Sequence, residues 1–330
     1  MRSLIVREWG EPTEKLHLEG CNLREPRWNE VRVRMVLSPI NPSDLMMIRN
    51  RYGRQPALPC VPGFEGVGVV EAGRGPLAWR VMNRRVAVIA REGGAWASHC
   101  LIPAIRAIPL SSAIPDEQAA SFFVNPVTAW AMIRKVLQVP KGAWIVQTAA
   151  AGAVGQMIIR LGKRMGFRTV NVIRTETQLE YLLKLGADKV IVANGEDITD
   201  KILHAMNGEL AFGGLDPVGG ATGAALIPCL GRHGRLLLYG RLSSDPLPIK
   251  PGRIMAGMRK IEGFWLSEWT EDQSKFTMWR TLRQVGKAMA EGVLYSPVGK
   301  IFPVEQFQTA IHEAETQGKP GKVLLRFSDR

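Results

Sequence analysis

The run Ala149-Ala150-Ala151-Gly152-Ala153-Val154-Gly155 combines very small side chains with a spacing suited to holding phosphate. Gly152 and Gly155 take the second and third places of a G-x-G-x-x-G pattern, with Ala150 at the first. So small a turn lets backbone approach a pyrophosphate, and a helix starting there points unpaired N–H groups at it. About twenty residues further on, a carboxylate would grip a free ribose 2′-hydroxyl, whereas a cation would suit a 2′-phosphate. Arg174 stands at that place, followed by Thr175 and Glu176. A charge-assisted guanidinium–phosphate pair contributes about 1.5–3 kcal/mol, which favours NADPH over NADH. Two readings stay open beside it: Glu176 could hold a ribose hydroxyl, and Arg174 could be a solvated strand end. The other reactive residue types form no pattern. Cys21, Cys60, Cys100 and Cys229 lack the pairing of a disulfide framework or a C-x-x-C site, and His17, His99, His204, His233 and His312 do not cluster. No metal is expected.

The elements around the turn follow from periodicity. Ala143 to Gln147 is a short apolar run of strand type, Val154, Ile158, Ile159 and Leu161 have the spacing of one helix face, and Thr169 to Ile173 make a second buried strand. Further strands are expected at Lys189 to Val192, Leu210 to Asp216, Arg235 to Tyr239 and Lys260 to Trp265. Repeated β-α units of this kind build a doubly wound parallel sheet, with ligands beyond the C-terminal strand ends. Those ends are the 149–155 turn, Arg174, Asp216, Tyr239-Gly240 and Phe264-Trp265. Residues 1 to about 120 differ in texture, being rich in Pro and Gly with short alternating segments such as Val31 to Val36 and Val67 to Glu71. They read as a β-rich, barrel-like domain. An amphipathic helix around Phe276 to Ala290 and a last strand, Val323 to Leu325, lead back to that first domain.

At 330 residues, with 46% hydrophobic content and no long polar tract, the chain suits two globular domains. No apolar stretch reaches the ~18 residues of a membrane span, and the N-terminus enters Leu4-Ile5-Val6 directly. A soluble cytoplasmic protein is expected. The net charge is +13 and the pI about 9.9, yet the basic residues lie in scattered small groups without a nucleic-acid motif. Neither nucleic acid nor membrane is expected as a partner. One group, Arg49, Arg51 and Arg54, could steer an anionic handle such as the phosphates of coenzyme A or an acidic carrier protein.

Several ordered motifs carry a resemblance. They are Asn41-Pro42-Ser43-Asp44 with Tyr52-Gly53, Pro62-Gly63-Phe64-Glu65-Gly66, Val124-Asn125-Pro126-Val127-Thr128-Ala129, Ala153-Val154-Gly155-Gln156 and Gly263-Phe264-Trp265-Leu266-Ser267-Glu268-Trp269. Over nearly its whole length the chain resembles the medium-chain dehydrogenase/reductases, and within them the mitochondrial-type 2-enoyl thioester reductases. The resemblance implies an α/β fold: a Rossmann domain over 121–267 and a β-rich GroES-like catalytic domain from 1–120 and 268–330. Asn41 stands where the zinc-dependent branch has a catalytic cysteine and Phe64 where it has a histidine, and neither side chain can replace such a ligand. Without a metal, polarisation by hydrogen bonds suits conjugate reduction of an activated alkene.

By the same resemblance the NADPH hydride goes to the β-carbon of a trans-2-enoyl thioester on coenzyme A or acyl carrier protein, and a proton goes to the α-carbon. Tyr52 matches the catalytic tyrosine, and a phenol keeps its proton at neutral pH. Asn125 and Thr128 would lie beside the nicotinamide or its ribose, and Ala151, Gly152, Ala153, Val154 and Gly155 at the pyrophosphate. Arg174, Thr175 and Glu176 would surround the adenosine phosphate. Tyr239, Gly240, Arg241 and Leu242, with Phe264, Trp265, Leu266 and Ser267, would wall the nicotinamide, and Lys322 would close the site. A homodimer through the nucleotide-binding domains is also implied. The family often has a second arginine where Glu176 stands and a small residue at Arg241, so Arg174 is left to carry the phosphate preference. A quinone or alkenal reductase of the same branch would share every cofactor residue, and a non-catalytic NADPH-binding protein is the alternative from another class.

Overall fold

A computed structural model describes residues 1–193, 197–316 and 321–328. The chain forms two compact units, one from Met1–Asn125 with Tyr295–Arg330, the other from Pro126–Leu294. The first boundary thus lies near the expected residue 121, while the second falls well beyond 267.

In the first unit, Glu30–Pro39 is the organising strand. Val31, Val33 and Met35 are buried in alternation before burial becomes continuous from Val36 onwards, as expected for a strand passing from one covered face to full enclosure. It pairs antiparallel with Glu65–Arg74, with His99–Pro103 and with Lys322–Arg326. The sheet continues through Arg85–Ile89 to Ala107–Pro109 on one side and to Val298–Pro303 on the other. The C-terminal strand is therefore an interior member of this sheet, which explains its fully apolar Val323, Leu324 and Leu325. Trp96, wholly buried, lies in the same core as Val31, Val33 and Met35, and Gly63 turns the chain over it. Its φ is +92°, and a Cβ would meet the Trp96 backbone nitrogen at 2.8 Å, so only glycine fits.

The second unit is a six-stranded parallel sheet, in the order Lys189–Val192, Arg168–Ile173, Trp144–Gln147, Ala211–Asp216, Leu230–Leu238, Lys260–Gly263. This is the 3-2-1-4-5-6 order of dinucleotide-binding sheets. The helix Ala153–Met165 buries Met157, Ile158, Ile159 and Leu161, the face that the 3.6-residue period predicts. Two expectations need correction. The last strand ends at Gly263, and Trp265 caps the helix Leu266–Glu271, where Glu268 in the first turn complements the helix dipole. The helix Lys275–Ala290 belongs to this unit rather than to the first. It buries Thr281, Val285, Ala288 and Met289, and Arg164 and Arg160 of the first-named helix reach Glu291 and the Val293 carbonyl just past its end. Among the described residues no helix is long and apolar enough to cross a membrane.

Candidate active site

The first unit contains a buried polar cluster. Asn41 precedes the helix Pro42–Ile48, and Asp44, in that helix's first turn, accepts the Asn41 N–H at 2.7 Å through Oδ2 and the Phe64 N–H at 3.0 Å through Oδ1. Glu65 accepts three bonds: from the backbone N–H groups of Phe123 (2.8 Å) and Val124 (3.0 Å), and from Asn41 Nδ2 (3.1 Å). Lys322 Nζ donates to Asn41 Oδ1. None of the four residues is more than 8% exposed. Desolvation penalises each charge: it pushes the Asp44 carboxyl up to about 7, raises that of Glu65 against the opposing field of Lys322, and lowers the Lys322 ammonium.

Tyr52 follows this helix and is half-buried, its ring 5.1 Å from that of Phe64 at an interplanar angle of 35°. Phe64 is in turn held by its N–H bond to Asp44. The cluster therefore fixes the aromatic wall behind the phenol.

Lys322, expected to close the cofactor site, is buried within this cluster. Its ammonium is turned to Asn41 between two buried carboxylates, because anions taken out of water need a cation beside them. Within the Arg49, Arg51 and Arg54 group, Arg49 forms ion pairs with Glu11 and Glu315, both at 2.7 Å. Asn125 is half-buried at the end of this unit.

The second unit carries the expected turn. Gly152 is exposed and caps the helix Ala153–Met165, Ala151, Ala153 and Val154 are half-buried, and Gly155 is buried. A Cβ on Gly155 would come within 2.5 Å of the Ala150 carbonyl oxygen, so the third glycine permits the close packing of turn and helix. Gln147 Nε2 donates to the Gly155 carbonyl at 3.0 Å and to Asn171 Oδ1 at 2.7 Å, tying both strands to the turn. Arg174, Thr175 and Glu176 follow the next strand and are exposed. Among the described residues Arg174 makes no hydrogen bond or ion pair, so its guanidinium remains available.

Asp216, fully buried at the end of the fourth strand, accepts the Thr148 hydroxyl and the N–H groups of Val218 and Gly219, each of the latter at 2.9 Å. It holds the strand-end loop on which the Leu242 N–H bonds the Pro217 carbonyl at 2.9 Å. Tyr239 is half-buried, and enclosure of its hydroxyl together with the Asp216 charge raises its phenol far above the usual range. Gly240, Arg241 and Leu242 are exposed, Phe264 and Thr128 are buried, and Trp265, Leu266 and Ser267 are half-buried.

Asp44, Glu65 and Thr148 were given no role of their own from sequence, and Asp216 was expected only as a strand end. Acids set inside apolar runs, with Lys322 leading into Val323-Leu324-Leu325, were the available signal, since such charges are buried only when paired.

The small turn, the N–H groups of a thirteen-residue helix and the unpaired Arg174 fit a nicotinamide dinucleotide. Among the described residues no group of three His, Cys, Asp or Glu side chains could hold a metal ion. A 3-2-1-4-5-6 sheet with such a turn, joined to a β-rich unit, defines a dinucleotide-binding protein, the class that includes the nicotinamide-dependent oxidoreductases.

The comparisons agree. Residues 27–112 match the model described as alcohol dehydrogenase GroES-like domain, and residues 153–283 match zinc-binding dehydrogenase. The mitochondrial enoyl-[acyl-carrier-protein] reductase of Xenopus tropicalis is 31% identical over 98% of this chain and 95% of its own length. The human protein of that name is 31% identical over 94% of this chain and 84% of its own. Among solved structures, a putative NADPH:quinone reductase from Bacillus thuringiensis has a TM-score of 0.91 at 28% identity, covering 98% of both chains. Another from Mesorhizobium loti has a TM-score of 0.89 at 30% identity, covering 99% of this chain and 98% of its own. The chain belongs to the medium-chain dehydrogenase/reductase superfamily.

Proposed function

We propose that this oxidoreductase uses NADPH to reduce the carbon–carbon double bond of trans-2-enoyl thioesters. The observation that carries the thioester reading is similarity of enoyl reductases along almost the entire chain, at 31% identity. The unpaired Arg174 at the strand end supports the 2′-phosphate preference, as do solved relatives described as NADPH:quinone reductases.

In this reading the N–H groups at Gly152 to Gly155 hold the pyrophosphate, Arg174 pairs with the 2′-phosphate, and Tyr239 to Leu242 with Phe264 to Ser267 flank the nicotinamide. When bound, the reduced nicotinamide supplies a hydride to the substrate β-carbon. Negative charge then develops on the thioester oxygen, and a preorganised donor stabilises it. The Tyr52 hydroxyl fills that role and directs a proton to the α-carbon, so one hydride and one proton saturate the bond. The acyl group arrives on coenzyme A or on an acyl carrier protein.

The second reading, reduction of a quinone or alkenal, is favoured by the quinone reductases among the solved relatives. Purified protein with NADPH and either crotonyl-coenzyme A or a simple quinone separates the two by loss of cofactor absorbance. Turnover of the thioester is expected, and turnover of the quinone alone would sink the proposal.

A further inference from the structure

The helix Lys275–Ala290 presents a second feature outside the cofactor and phenol sites. Phe276 and Trp279 are 64% and 50% exposed, and their rings stack with centroids 5.9 Å apart at 24°. Arg280 lies over the Phe276 ring at 5.9 Å and Arg283 over the Trp279 ring at 4.9 Å. The spacing 276, 279, 280, 283 is that of one helix face, opposite in character to the buried Thr281, Val285 and Ala288. Among the described residues neither arginine has a carboxylate partner, and Lys275 adds a further exposed cation.

Two large exposed aromatics clad in guanidinium groups are uncommon on a free surface and are the residue types that anchor interfaces. The charge sets the partner: the ionised groups of the stripe are all cationic, which opposes pairing of this face with its own copy and favours an acidic surface with apolar contacts. The C-terminal end of this helix is tied to Ala153–Met165 by Arg164–Glu291 and Arg160–Val293, which leaves its first turns, with Phe276 and Trp279, open to a partner.

We infer that the Phe276–Trp279–Arg280–Arg283 stripe docks an acidic protein carrier bearing the acyl thioester. This rests on the thioester reading above and adds the partner's footprint. The test compares a crotonyl thioester on coenzyme A with the same acyl group on a purified acidic acyl carrier protein. In Phe276→Ala/Trp279→Ala and in Arg280→Glu/Arg283→Glu, KM for the carrier-borne substrate should rise about tenfold or more with kcat kept. Kinetics with the coenzyme A thioester should be unchanged, which also shows that the variants are folded. In the parent protein the carrier-borne KM should climb with salt. Equal changes for both substrates, or none for either, overturn the docking site. If no thioester turns over, the reading of the reaction fails, and direct binding of the carrier then decides the docking: retained binding lost in the variants upholds it, and its absence sinks it. Stripe-dependent binding to anionic lipid vesicles without carrier binding would assign the face to a membrane instead.

Discussion

At the scale of single residues, the phenol and the buried cluster behind it make separable predictions. Tyr52→Phe removes one hydroxyl from a half-buried ring whose packing on Phe64 persists. Turnover with the best substrate should fall about a hundredfold while the melting temperature holds, and an unchanged rate would remove Tyr52 from the mechanism. Lys322→Met deletes the cation that opposes Asp44 and Glu65. Leaving buried carboxylates uncompensated costs about 3–5 kcal/mol, measurable by denaturant unfolding, and adding Glu65→Gln should recover part of it. Asp44 has its own pH signature. Its carboxyl is raised from 3.8 to about 7 in the folded state, so between those values the native chain holds a proton that the unfolded chain has released. Its contribution to stability is therefore present at low pH and lost as pH rises through that window, by up to about 1.4 kcal/mol per unit. Unfolding measured from pH 4 to 7 should show a shallower decline in Asp44→Asn than in the parent protein.

At the scale of elements, the strand-turn-helix of the second unit was the most legible part of the chain. Small residues from Ala149 to Gly155 and the apolar face from Val154 to Leu161 specify it locally, and the helix Ala153–Met165 forms as the period demands. Gly155→Val puts side-chain atoms where a Cβ already meets Ala150 backbone at 2.5 Å. The turn must open, so KM for NADPH should rise at least about tenfold, with little change for the acyl substrate; equal shifts for both would place the damage elsewhere. Less legible was Gly263 to Trp269. Its aromatic run reads as strand, yet the ladder stops at Gly263 and Trp265 caps a helix. Apolar residues at a sheet end satisfy either state, and the neighbouring strand's length decides between them. Likewise Phe276 to Ala290 was legible as a helix, but not the unit that it would join.

At the scale of the whole molecule, the similarity extends over both units, and the expected homodimer is open to a direct test. Sedimentation should show a particle of twice the 36.4 kDa chain mass, and a concentration-independent single chain would exclude the homodimer. The C-terminal strand lies between Val298–Pro303 and Glu30–Pro39, and brings Lys322 to Asn41 from the far end of the sequence. So the sheet of the first unit is complete only when Lys322–Arg326 has joined Glu30–Pro39.

By itself the amino-acid sequence determined what depends on neighbours along the chain: the phosphate-type turn, the alternating β-α units and the basic residue after the second strand. Periodicity and side-chain chemistry are local, and so can be read without coordinates. Only the tertiary structure decided the partners of charged groups. Lys322 became the counter-ion of Asp44 and Glu65, Arg49 was taken up by Glu11 and Glu315, and Arg174 was left unpaired among the described residues. Charge pairing depends on burial and on contacts between residues hundreds of positions apart, which no local pattern encodes.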